Sequence, residues 1–131
     1  MKTEAEIKND VYLLLKKSPI MSAVTGKLSK RKRPINSKKE DVVISVLSST
    51  IADRQEAFLN INVYVAQNDI NGQYEEDSER LETLERICMD FLESVHGEDY
   101  WITMSMQKTL EVESKHENVI NNRILYSTIN I

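Results

Sequence analysis

The chain has one cysteine, Cys88, two prolines, three glycines and no apolar run longer than Val11 to Leu15. A single thiol builds neither an intrachain disulfide nor a thiolate zinc cluster, so a reducing cytoplasm is the expected setting. No segment has the length or hydropathy of a membrane span or of the apolar stretch of a secretory leader. Gly26, Gly72 and Gly97 are too scattered for a phosphate-cradling loop and read as caps and turns. No serine stands in a Gly-x-Ser-x-Gly turn, and Cys88 falls on the apolar face of an expected helix, where a thiol behaves as a small hydrophobe. Catalytic residues, cofactor sites and metal ligands are therefore not expected.

What is present fits one globular domain over residues 1–131, with 40% hydrophobic and 29% charged residues and a mean hydropathy of -0.43. The net charge of -4 conceals an asymmetry. Residues 1–39 hold eleven Lys and Arg against three acids, a balance of +8, and residues 40–131 hold six against eighteen, a balance of -12. Such halves attract each other within one fold, between copies of the chain, or through an external polyanion.

The periodicity predicts a helix over about Thr3 to Lys17, opened by a Thr3–Glu6 capping box and carrying Ile7, Val11, Leu14 and Leu15 on one stripe. Ser18-Pro19 starts a short second turn with Ile20, Met21 and Val24, which Gly26 closes. The β-branched run Val42 to Leu47 reads as a well-buried strand, Ser48 to Gln55 as a turn, and Ala57 to Val65 as an alternating strand with one dry face. A polar loop over 67–73 precedes a helix from about Asp77 to Val95, with Leu81, Leu84, Cys88, Phe91, Leu92 and Val95 on its apolar side. Glu75, Glu76 and Asp77 suit the positive end of that helix. Ile102, Met104 and Met106, then Leu110 and Val112, alternate as a strand, and Val119 to Ile131 supplies another. The order α-β-β-α-β-β implies an α+β fold: two layers, a largely antiparallel sheet of four to five strands, and two main helices on one face.

Two Glu-x-x-His spacings, Glu93 with His96 and Glu113 with His116, have the form of di-iron carboxylate ligands. The first lies at a fraying helix end and the second in a polar stretch between strands, where three-residue spacing does not align side chains. Both read as solvated surface. Trp101, Met104 and Met106 read as core strand.

The feature with functional weight is Lys27, Lys30, Arg31, Lys32, Arg33, Lys38 and Lys39: seven cations in thirteen residues, with no acid and with Pro34 and Asn36 breaking any regular pattern. It reads as a loop with room for one edge strand. Three readings stay open for it: a solvated loop, a protein interface, and a phosphate-binding segment whose affinity falls steeply with salt. The absence of an aromatic residue in the run weighs against base stacking.

Element order and local texture, above all Arg33-Pro34-Ile35-Asn36 followed by Glu40-Asp41 and the apolar strand Val42-Val43-Ile44, resemble the phage tail-terminator and tail-completion family, which includes the lambda-type terminator and siphophage head–tail joining proteins. The resemblance spans about Glu6 to Asn130. It implies a small domain without chemistry that assembles as a hexameric ring on the tail tube, meets tube and head-connector proteins, and is built into the virion after assembly in the bacterial cytoplasm. A ring needs unlike patches on neighbouring copies, and the basic run is the candidate contact with a neighbour, the tube or DNA. The alternative reading is a small nucleic-acid-binding protein using residues 27–39.

Overall fold

The structure is a computed structural model and describes residues 1–52 and 54–129. Helix α1 runs over Glu4–Lys16. Its capping box is formed, with the Glu6 N–H donating to Thr3 Oγ1 and the Thr3 N–H donating to the Glu6 carboxylate. Helix α2, Pro19–Ala23, starts at a Ser18 cap with Pro19 in its first turn. Strands β1 (Leu28–Ser29), β2 (Val42–Ile51) and β3 (Gln55–Ala66) follow, then a small hairpin of β4 (Asn68–Ile70) and β5 (Gln73–Glu75). Helix α3 spans Ser78–Leu92 from its Asp77 cap, and β6 (Ser94–His96), β7 (Tyr100–Val112), a 3-10 turn at Glu113–Lys115 and β8 (Glu117–Thr128) complete the chain.

The fold is α+β, as the alternation implies. Among the described residues its sheet has six strands in the order β1-β2-β3-β8-β7-β6, and all pairs are antiparallel except β1 with β2, so the sheet is mixed and wider than the expected four to five strands. The short helix α2 lies where Ser18-Pro19 places it, and the separate β4–β5 hairpin adds to the expected order. One core cluster unites Ile7, Val11 and Leu15 of α1, Leu81, Leu84 and Leu92 of α3, and the inward row Leu59, Ile61 and Val63 of β3.

Several boundaries differ from the pattern, each for a physical reason. The run Val42 to Leu47 is buried only at alternate positions: Val42 and Ile44 enter the core, whereas Val43 and Ser45 lie on the sheet face away from the helices. That face carries Asn60, Asn62 and Asn121, bonded to each other at 2.7 and 3.0 Å. The strand continues to Ile51 through the expected turn, with a bulge between Val46 and Ser48. A second bulge between Met104 and Met106 moves the alternation from one face to the other, so Met106 is exposed and only Met104 packs on the core. The loop at 67–73 contains β4 and starts β5, and α3 stops at Leu92 because Ser94–His96 pairs with β7. Asn130 and Ile131, placed in the last strand by the pattern, lie outside the described residues.

Gly26 is not the helix stop. Val24 caps α2, and Gly26 instead passes so close to β2 that an added Cβ would lie 2.5 Å from the Glu40 carbonyl carbon and 2.6 Å from the Asp41 nitrogen. This contact brings the chain entering the basic run against the chain leaving it.

Candidate functional site

The basic run forms an arch between β1 and β2. At its foot Arg33 turns inward. Its Nε donates to Asp41 Oδ2 at 3.0 Å, and its two terminal nitrogens donate to the Glu117 carboxylate at 2.8 and 2.9 Å. The same guanidinium donates to the carbonyls of Ser37 and Lys39 and lies 4.2 Å above the Tyr64 ring. The Arg33 side chain is 10% exposed and those of Asp41 and Glu117 are each 1% exposed, so this is a buried, multiply bonded ion cluster. Burial pushes the Asp41 carboxyl up, but hydrogen bonds from the Ser37 hydroxyl, the Lys27 N–H and Arg33 outweigh it and hold the group below the usual carboxylate range. Burial likewise opposes the Arg33 charge, and Glu117 and Asp41 overcome it, raising its pKa.

The arch closes on itself through short polar contacts. The Arg31 and Lys32 N–H groups donate to Ser29 Oγ, the Ser37 N–H donates to the Pro34 carbonyl, and the Ser37 hydroxyl donates to Asp41. Asn36 takes the left-handed backbone conformation, φ 58°, that asparagine tolerates better than most residues. Next to Asp41, Glu40 accepts two 2.7 Å bonds from Arg80 of α3, which also donates to the Ala23 carbonyl. Adjacent carboxylates are thus gripped by different arginines, Asp41 by Arg33 and Glu40 by Arg80, and the end of the arch is fastened to both the sheet and α3.

The seven candidate cations are therefore not equivalent. Arg33 is structural. Lys30 is half-buried, donates to Asn9 Oδ1 at 3.1 Å and lies 5.0 Å above the Tyr12 ring, so it ties the arch to α1. Lys27, Arg31, Lys32, Lys38 and Lys39 are exposed. Between the arch and the sheet lies an open cleft of about 610 Å³, bordered by Arg31, Lys32, Lys38, Tyr64 and Lys115, with no carboxylate among the described residues that line it. Ile35 stands at the tip, 91% exposed. The run's cations do not reveal Ile35 or Lys115 as part of this surface. Ile35 does have a signal, being the single large apolar residue between Leu28 and Val42; Lys115 has none.

The other candidate residues are dispersed. Glu93 caps α3 and His96 sits in β6, while His116 adopts φ 54° and stacks on Tyr74 of β5 with ring centroids 3.7 Å apart. Among the described residues no three His, Cys, Asp or Glu side chains gather in a metal-holding group. The Cys88 thiol is buried, and burial pushes its pKa up to about 12, so it is protonated and a poor nucleophile at neutral pH. Among the described residues no helix is long and apolar enough to cross a membrane. No protein-family model matches the chain, and no curated protein matches it.

Proposed function

We propose that the chain is a non-catalytic assembly protein, a tail-completion component of a phage or prophage that caps the tail tube as an oligomeric ring, and that the outer edge of the arch is its docking surface. The observation that supports docking is the combination at the arch tip: an isoleucine with 91% of its surface in water, held by a buried ion cluster between cations that form no ion pair among the described residues. Exposing an apolar side chain there costs free energy that a partner's pocket returns, and the buried foot removes the entropy of ordering the loop before contact. The phage setting rests on the resemblance in element order. Added to polymerising tail-tube subunits of its own phage, the protein is expected to cap tubes at one end and stop their growth. Unchanged growth would overturn the tail-completion reading.

A second reading uses the same cations on a polyanion, favoured by the absence of a carboxylate among the described residues that line the cleft. It gives no role to Ile35. Filter binding of double-stranded DNA across salt concentrations separates the two, because the protein-docking reading expects no retention even at low salt.

A further inference from the structure

We infer that the partner of the arch is a second copy of this chain, and that the arch enters the groove between α3 and β7 of that copy. The inference rests on the assembly reading and names the surface involved. The groove encloses about 720 Å³, with Glu79, Glu82 and Glu85 along α3, Ile87 and Met89 as half-buried apolar walls, and Gln107 of β7 on the far side. Gln107 Nε2 donates to the Glu85 carbonyl at 3.0 Å and so keeps helix and strand in register at the groove. Among the described residues Glu79 and Glu82 form no ion pair, and neither do Arg31, Lys32, Lys38 or Lys39.

The two surfaces match in charge and in polarity pattern. Each has an apolar centre, Ile35 on one and Ile87 with Met89 on the other; cations flank the first, and glutamates flank the second, where the one lining cation, Arg86, is paired with Asp90 at 2.9 Å. Docking one surface on the other relieves the like-charged crowding on both. Within one chain the two lie on opposite sides of the sheet: the arch stands over Val43 on the face away from the helices, while the groove lies against α3 on the other face. Every copy therefore offers one arch and one groove, a heterologous contact that propagates head to tail and closes into a ring when the rotation permits.

Cross-linking in mixtures tests the contact directly. Ile35→Cys places a thiol on the arch tip and Thr83→Cys places one on the exposed groove rim, while Cys88 stays buried. Under a mild oxidant such as copper phenanthroline, a mixture of the two proteins should give at least tenfold more disulfide dimer than either alone. Lys32→Glu with Lys38→Glu in the first protein should remove that excess, and Glu79→Lys with Glu82→Lys in the second should restore it. Equal yields in mixed and single samples, or no restoration by the charge swap, would overturn the contact. Wild-type oligomers by light scattering without mixed cross-links would remove this docking site and leave the assembly reading standing. Single-chain mass together with no cross-links would remove both.

Discussion

Arg31 and Arg33 stand two residues apart and carry the same group, yet one lies in solvent and the other is nine-tenths buried against two carboxylates. The foot of the arch, Arg33 with Asp41, Glu117 and Ser37, is stabilised by bonds that water cannot replace cheaply. Its crown, Arg31, Lys32, Ile35, Lys38 and Lys39, contributes little to the fold. The difference teaches how the charge asymmetry is resolved. Among the described residues, only Lys2 and Arg33 of the eleven basic residues in the first thirty-nine form ion pairs, with Asp10, Asp99, Asp41 and Glu117. Of the remainder, Lys8 and Lys30 are half-buried at the seam of the arch with α1, and the exposed Lys27, Arg31, Lys32, Lys38 and Lys39 face outward.

Substitution at the foot should cost most. Arg33→Ala leaves Asp41 and Glu117 buried without their counter-ion and is expected to lower stability by about 3–5 kcal/mol in urea denaturation. A loss of under 1 kcal/mol would place Arg33 with the crown. Gly26→Ala comes next at roughly 1–3 kcal/mol, since its Cβ would meet backbone atoms of Glu40 and Asp41 as well as the Asp41 carboxylate, which the Lys27 N–H and Arg33 hold in place. A wild-type melting temperature would show that the arch base can shift without penalty.

Acid sharpens the contrast. Asp41 has a lowered pKa in the fold, so its contribution is complete above the unfolded value of about 4 and is lost as pH falls through the folded value. Thermal melts below roughly pH 4 should show a falling melting temperature. Asp41→Asn should melt lower at neutral pH and show a shallower acid decline. An identical acid slope in the variant would assign the decline to other carboxylates. At the crown, Lys32→Glu with Lys38→Glu should change stability by no more than about 0.5 kcal/mol, as surface substitutions usually do. A larger loss in urea denaturation would mean that these lysines support the fold.

Much of the frame was readable from residue order. The capping box of α1, the stripe Leu81, Leu84, Cys88 of α3 and the alternation of β3 appear where local periodicity places them, because burial on one face dictates each pattern. The misplaced pieces share another cause. Bulges near Leu47 and Ser105 shift side chains between faces without any local signal, and β1 and β6 exist only through pairing with distant strands. The candidate site was legible as a region but not as a division of labour. Arg33 reads like its neighbours until a carboxylate eighty-four residues away closes on it.

The most direct measurement is the molar mass of the protein by light scattering, at low salt and at about 0.5 M salt, where a Debye length of a few ångströms screens exposed charge. Wild-type protein is expected at a multiple of 15.1 kDa at low salt, falling towards the single chain at high salt, with the Lys32→Glu, Lys38→Glu variant folded and at single-chain mass throughout. The same mass for wild type and variant at both salt concentrations would contradict a docking crown carried on a structural foot.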